Sequence, residues 1–109
     1  MADARPIELI SSRHAARMEE SLALLSAVAD PVRWTVLSHL TQRGTSCVCD
    51  LQERVPVAAN LLSYHLKVLR DAGLVTSSRR GRWIDYSLAE GASRRLAEAL
   101  PVAEPAALP

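Results

Sequence analysis

The sequence predicts a mainly helical fold that carries one small β-hairpin near its C-terminal end. Three observations support this prediction. Apolar residues recur at helical spacing up to about residue 72, the pattern then changes to strict alternation, and a last helical pattern follows from about residue 92. A length of 109 residues favours a single domain. Its core is expected at about residues 15–100, between a loosely ordered N-terminus and a Pro/Ala-rich C-terminal tail.

Two helices are predicted before the middle of the chain. A 4-3-4 spacing, which places residues on one face of a helix, links Met18, Leu22, Leu25 and Ala29. The pair Asp30-Pro31 is typical of a helix start, because Asp caps free backbone N–H groups and Pro fits the first turn. The second helix is therefore expected from this pair to about Arg43, where Gly44 ends it.

Two further helices are predicted close together in the sequence. The first lies within residues 47–55 and is short, because Val55-Pro56 disfavours helical continuation. The second, over residues 58–72, has a clear apolar stripe formed by Leu62, Leu66 and Leu69. Its opposite stripe is polar and consists of Asn60, Ser63, Tyr64, Lys67 and Asp71. Two helices joined by a tight turn in this way form a helix-turn-helix.

The hairpin and one more helix complete the chain. Residues 74–78 form the first predicted strand, residues 79–82 the hairpin tip, and alternating apolar positions from Ile84 to Leu88 the second strand. A last helix is expected over about residues 92–100. The order of four helices, a hairpin and a final helix predicts a winged helix-turn-helix.

The polar stripe of helix 58–72 and the hairpin tip predict a surface for double-stranded DNA. Asn60 is the only Asn of the chain and can bond the N6 and N7 atoms of adenine, while hydroxyl groups and Lys67 can reach bases or phosphates. Three Arg residues without an acidic neighbour make the tip suitable for phosphate contact. A solvated helix face and a solubilising turn are the alternative interpretation. The predicted DNA-binding residues are Ala59, Asn60, Ser63, Tyr64, His65, Lys67, Arg79, Arg80 and Arg82.

Cys47-Val48-Cys49 is a candidate site for a thiophilic ion. Residues two apart in an α-helix point about 200° apart, so two helical cysteines at this spacing cannot share one ion. We therefore expect an ion on Cys47 and Cys49 to require the start of the short helix to be unwound. Such unwinding would link ion binding to DNA affinity, because this helix is expected beneath helix 58–72. Two buried structural cysteines are the alternative.

Several other classes of protein are disfavoured by the sequence. No segment approaches the roughly 18 consecutive apolar residues of a membrane span. The charged residues Asp3, Arg5 and Glu8 precede any apolar stretch, which is not a secretory signal, so a cytoplasmic protein is expected. An enzyme is not expected, because no base, phosphate loop or acid pair lies near the cysteines in the sequence.

Four segments, residues 29–33, 47–51, 65–75 and 81–88, resemble the ArsR/SmtB family of metal-sensing repressors. They occur in the order that the family has. The resemblance implies a homodimer paired through the first and last helices. It also implies repression of nearby genes by binding to operator DNA, and release of the DNA when an inducer binds.

The segment around Cys47 and Cys49 resembles that of the arsenic- and antimony-responsive members, which bind the inducer through cysteines at these positions. The third cysteine that is frequent in those members is Gln52 here, and the last helix lacks the His of the family's other site. The resemblance implies As(III) or Sb(III) as inducer, with Cd(II) or another divalent metal such as Zn or Ni as the alternative, and no organic cofactor. A regulator that senses thiol oxidation, or no ligand, is the alternative function.

Overall fold

The computed structural model of the protein describes residues 12–102, and its elements follow the predicted order with one addition. The five helices are α1 (Ser12–Val28), α2 (Pro31–Arg43), α3 (Val48–Arg54), α4 (Ala59–Asp71) and α5 (Ala92–Ala99). The three strands are β1 (Ser46–Cys47), β2 (Val75–Arg80) and β3 (Trp83–Leu88). The predicted loosely ordered N-terminus and Pro/Ala-rich tail fall outside the described residues, apart from 12–13 in α1 and 101–102 after α5.

The boundary between α1 and α2 is set by the residue pair that predicted it. One carboxylate oxygen of Asp30 accepts hydrogen bonds from the backbone N–H groups of Val32, at 2.8 Å, and Arg33, at 3.1 Å. Pro31 occupies the first helical position, where its missing N–H costs nothing. At the other end, Gly44 leaves the helix with a φ of 78°, which glycine adopts without strain.

A three-stranded antiparallel sheet replaces the predicted two-stranded hairpin. The strand order is β1-β3-β2, so β3 lies in the centre. In the β1–β3 ladder Ser46 pairs with Tyr86 and Cys47 pairs with Asp85. The sequence did not indicate β1, because two residues are too few to show an alternating pattern. β2 continues through Arg79 and Arg80, which were predicted for the tip, and the turn is formed by Gly81 and Arg82.

The core lies where α2, α3 and α4 meet the inner face of the sheet. The predicted apolar stripe of α4 is confirmed, since Leu62, Leu66 and Leu69 are each at most 1% exposed. Five further side chains are at most 2% exposed and come from α2, α3, β2 and the turn before β2: Val36, Leu40, Leu51, Leu74 and Val75. Burying a leucine side chain stabilises the fold by about 1.5–3 kcal/mol. The three leucines of α4 therefore make a large contribution to the free energy that holds α4 against the rest of the protein.

The termini of the described chain pack against each other and leave apolar residues exposed. α5 lies along α1. Met18 and Leu22 on α1 are 37% and 57% exposed, and Leu100 directly after α5 is 50% exposed. Among the helices of residues 12–102, none is long and apolar enough to cross a membrane.

Two leucines of α4 give a matched test of this packing. Leu66→Ala removes a side chain that is 1% exposed, whereas Leu61→Ala removes one that is 43% exposed. We expect Leu66→Ala to lower the free energy of unfolding by about 2–5 kcal/mol, because it leaves a cavity in the core. Leu61→Ala is expected to change it by less than about 1 kcal/mol. Urea unfolding followed by circular dichroism measures both, and equal losses would contradict the assigned orientation of α4.

Candidate nucleic-acid interface and metal centre

The exposed side of α4 presents the polar residues that the sequence predicted for DNA. We call this surface the outer face of α4 and define it by Ala59, Asn60, Ser63, Tyr64 and Lys67, all of which are exposed. The Lys67 ammonium donates to the Asp71 carboxylate one turn later, at 2.7 Å. This bond keeps the pKa of Asp71 below its ordinary range. The outer face therefore offers an amide, two hydroxyls and a cation along about two helical turns.

His65, which was also predicted to bind DNA, does not share the exposure of this outer face. The residue is only 7% exposed. It directly precedes the buried Leu66 on α4 and lies three positions after the buried Leu62, which brings its ring to the edge of the apolar stripe. The imidazole therefore contacts the interior of the protein and not the surface that the outer face presents.

The partner of His65 is Arg33, which ties three helices together. Arg33 Nη1 donates to His65 Nδ1 at 2.8 Å, and Arg33 Nε donates to the carbonyl of Ala27 in the last turn of α1 at 2.7 Å. Because a guanidinium has only donors, Nδ1 accepts and the proton of a neutral ring lies on Nε2. Asp30 Oδ1 lies 3.8 Å from the same Nδ1. This polar network fixes α4 against the end of α1 and the start of α2.

The hairpin carries the three predicted arginines, but their charges are not equally available. We call the β2–β3 hairpin the wing. Arg80 makes two hydrogen bonds to the Asp85 carboxylate, at 2.9 and 3.1 Å, which lower the pKa of Asp85 and raise that of Arg80. Arg79 donates to the backbone carbonyl of Gly81 at 3.3 Å. Arg82 is exposed in the turn, where its charge faces solvent.

The cysteine pair lies where β1 meets α3. Cys47 is the N-cap of α3 in extended conformation, and its Sγ accepts the Asp50 N–H at 3.4 Å. Cys49 lies in the first turn of the same helix, and a disulfide joins the two sulfurs. The disulfide itself does not require an unwound helix start, whereas the expectation for an ion on both sulfurs stays a prediction. Only Cys49 is helical, so both sulfurs meet while α3 is formed.

Asp50 joins the two cysteines in a cluster that can hold a metal ion. One ligand atom from each of Cys47, Cys49 and Asp50 lies within 4.8 Å of the other two. Reduction of the disulfide by two electrons and two protons frees both thiols for coordination. The donor set is then two sulfurs and one carboxylate oxygen at a partly exposed position. Soft thiolates favour thiophilic ions, and the oxygen extends the set to borderline divalent metals.

Sequence reasoning missed three residues that the structure brings into these sites. Asp50 follows Cys49 directly, so its position beside the pair was the available signal. Arg33 was noted only as the last residue of the segment 29–33, and its contact with His65 spans 32 positions of sequence. Asp85 alternates with apolar residues in β3, which indicates a solvent-facing strand residue and not a partner for Arg80.

Comparison with known proteins gives one family. Residues 30–77 match the family described as bacterial regulatory protein, arsR family. The arsenical resistance operon repressor of Bacillus subtilis (strain 168) is 48% identical over 62 residues, which are 57% of this chain and 59% of that protein. The chain thus spans less than two thirds of this relative. The biofilm growth-associated repressor of Agrobacterium fabrum is 38% identical over 84 residues, covering 77% of this chain and 71% of that protein.

A solved structure agrees with the sequence matches. The crystal structure of NolR from Sinorhizobium fredii superposes with a TM-score of 0.71 at 29% identity, over 82% of this chain and 89% of that one. This likeness, together with the observed helices and sheet, confirms the predicted winged helix-turn-helix fold.

The Asp30 cap gives a pH-dependent prediction for the network that holds α4. Hydrogen bonding from the Arg33 N–H is the main cause that lowers the pKa of Asp30 below its ordinary value of 3.8. The stability contributed by the ionised carboxylate is therefore complete above that value and is lost as pH falls through the lowered pKa. Asp30→Ala should reduce the free energy of unfolding by about 0.5–2 kcal/mol at pH 7.

The difference between the wild type and Asp30→Ala should shrink below about pH 4, where the wild-type carboxyl takes up a proton. Asp30→Asn is the control that retains a capping oxygen without the charge, and it should lose less than Asp30→Ala at pH 7. Urea unfolding at several pH values measures these differences. A difference between wild type and Asp30→Ala that grows on acidification would contradict the assignment.

Proposed function

The chain belongs to the arsR family of bacterial regulatory proteins. We propose that it is a homodimeric transcriptional repressor, which binds double-stranded operator DNA and dissociates from it when a thiophilic ion binds to the protein. The observation that carries the proposal is the meeting of Cys47, Cys49 and Asp50 at the start of α3, the helix that precedes α4 in the helix-turn-helix. The relatives support it, since two of them are named as repressors and one of these acts on an arsenical resistance operon.

In the proposed complex the outer face of α4 enters the major groove. Asn60 bonds an adenine edge, Ser63 and Tyr64 reach bases or phosphates, and Lys67 neutralises a phosphate after exchanging its bond with Asp71. Ala59 has only a methyl group, so the N-terminal end of α4 can approach a thymine methyl closely. The wing extends beside the backbone with Arg79, Arg80 and Arg82.

The homodimer places two such helices on one operator. Operators with two-fold symmetry require two copies related by the same symmetry. The exposed apolar residues of α1 and the end of α5 are the proposed interface: Met18, Leu22 and Leu100. One compact domain leaves these residues uncovered, and a second copy buries them.

As(III) or Sb(III) is the proposed inducer, with Cd(II) or another divalent metal as the second choice. Cys47 and Cys49 supply two thiolates, which are the ligands that these ions prefer. A trivalent arsenic bound to two protein thiolates needs a third ligand, for which water or a cellular thiol is available. A divalent ion instead takes the Asp50 carboxylate as its third protein ligand. The response of an Asp50→Asn variant therefore separates the two kinds of ion.

A thiol-oxidation sensor is the second candidate function, and the Cys47–Cys49 disulfide is the observation that favours it. A peroxide or a small-molecule disulfide would accept the two electrons that the thiols give up. Oxidation occupies the same sulfurs that bind the ion, so the oxidised protein cannot bind arsenite. The two candidates then differ in the chemical signal and share the site.

The DNA contacts are tested with Asn60→Ala and Arg82→Ala. Asn60→Ala should relax sequence preference at one position of each half-site, at a cost of about 1–3 kcal/mol for the preferred sequence. Arg82→Ala should weaken binding to all sequences and reduce the salt slope by about one unit per lost phosphate contact. Arg94→Ala on the exposed side of α5 is the charge-matched control. Equal salt slopes for Arg82→Ala and the control would exclude the wing turn from the interface.

The inducer is tested by fluorescence anisotropy with labelled operator and reduced protein. We expect arsenite to release the wild type, while Cys47→Ser and Cys49→Ser bind the operator and fail to respond, because each has lost one of two thiolates. Asp50→Asn should respond to arsenite like the wild type and should need more Cd(II). If both serine variants release DNA at wild-type arsenite concentrations, the cysteines are not the sensor.

A further inference from the structure

The strand that holds Cys47 is hydrogen-bonded to the strand that holds the wing together. In the β1–β3 ladder Cys47 lies directly opposite Asp85. The Thr45 and Ser87 hydroxyls, just before β1 and on β3, are also hydrogen-bonded at 2.7 Å. β1 has only two residues, so its attachment to the sheet depends on these few contacts. A change in the backbone position of Cys47 therefore displaces Asp85 before other residues of the sheet.

Asp85 is also the residue that keeps Arg80 occupied. Its carboxylate holds the Arg80 guanidinium at 2.9 and 3.1 Å, a two-point contact that matches the fork of the side chain. The Asp85 side chain is 16% exposed, whereas that of Arg80 is 64% exposed. The exposed Arg80 side chain can therefore exchange the Asp85 carboxylate for a nearby phosphate, while the less exposed Asp85 side chain keeps its position on β3. Asp85 occupies the Nε–Nη2 edge of the Arg80 guanidinium, and its negative charge beside that edge opposes the approach of a phosphate.

We propose that Asp85 competes with a DNA phosphate for Arg80 and that the state of Cys47 and Cys49 decides this competition. When the thiols are reduced and empty, Arg80 binds phosphate; when they are joined or carry an ion, Asp85 retains Arg80. The structure contains the second combination, with the disulfide and the Arg80–Asp85 pair present together. Asp85 is thus a positioning residue that links the cysteine pair to the wing. The proposal rests on the proposed function for its DNA and its inducer.

The mechanical basis is the double role of Cys47. Its Sγ accepts the Asp50 N–H at the start of α3, and its backbone belongs to β1. In this structure Sγ is joined to Cys49 and still accepts that N–H, so a bond on Sγ holds the junction of α3 and β1 in the observed arrangement. Because Cys47 and Asp85 are paired, this arrangement also holds the Asp85 carboxylate beside Arg80, and breaking the bond on Sγ releases both. Such a link is established only by measuring how two residues affect one equilibrium.

The experiment compares operator affinity with and without arsenite in Asp85→Asn, Arg80→Ala and the double variant. Asp85→Asn keeps the shape of the side chain and removes the charge that holds Arg80. Glu90→Gln, an exposed change of the same charge after β3, is the matched control. Thiol titration of the free proteins reports arsenite binding separately. The operator affinities of the reduced and the disulfide-containing protein are also compared. Oxidation is then a second chemical signal, called with arsenite the input, that changes the cysteines without arsenite.

In the wild type and in Glu90→Gln, the input is expected to weaken operator binding on the order of 10–100-fold. In Asp85→Asn, arsenite or oxidation should weaken operator binding by less than about threefold, because the variant binds the operator better than the wild type only when the cysteines carry arsenite or are oxidised. A side chain with a merely structural role would weaken binding in both states. Arg80→Ala should lose the same part of the response, and adding Asp85→Asn to it should change nothing further.

Three results would overturn the proposal. The first is an Asp85→Asn response equal to that of Glu90→Gln while thiol titration shows arsenite bound. The second is an additive double variant, which would mean that Asp85 and Arg80 act independently. The third is a wild type that answers neither arsenite nor oxidation, which would leave nothing to transmit. If Asp85→Asn does not fold, the response of Arg80→Ala to arsenite tests the proposal, because Arg80 is the exposed member of the pair. The third result, or absence of operator binding in reduced protein, contradicts the proposed function itself, whereas the first two results overturn this proposal alone.

Discussion

The attachment of α4 to the two helices before it is the constraint on which the other features depend. Leu62, Leu66 and Leu69 bury one side of α4, and the Arg33–His65 hydrogen bond fixes its edge against α1 and α2. Burial of one side determines which residues remain outside. The outer face of α4 is polar, exposed and held rigidly because the opposite side has no freedom to rotate. A DNA interface requires this, since base contacts tolerate little error in the position of a helix.

The same scaffold places the cysteines where a chemical change matters. β1 joins the start of α3 to the centre of the sheet, so Cys47 contacts both the helix-turn-helix and the wing. Two surfaces that are proposed to bind DNA thus share one short segment. In the mechanism proposed above, the Arg80–Asp85 pair lets this segment control the charge of the wing without a large movement. A guanidinium that is bound by a carboxylate contributes little attraction for phosphate, and releasing it restores one full contact.

Most of the fold could be predicted from the sequence, because helical periodicity, Asp30-Pro31 and the change to alternation are local signals. The outer face of α4 followed from the same periodicity. β1 could not be predicted, since two residues carry no pattern. The burial of His65 could not be predicted, because helical spacing gives the angle of a side chain but not its partner, and Arg33 is distant in sequence. The geometry of the cysteines could not be predicted, because the sequence does not fix the residue at which α3 begins, and Cys47 is the N-cap of that helix.

The central claim is that two copies of α4, presented by this scaffold, read DNA through their outer faces. The direct measurement is a hydroxyl-radical and guanine-methylation footprint of the reduced protein on a duplex that it selects from a random library. The account predicts two symmetric major-groove protections separated by about one helical turn or a multiple of it, with backbone protection beside each from the wing. A single protected patch without a symmetry mate, or protection that persists unchanged in Asn60→Ala and Arg82→Ala, would contradict it.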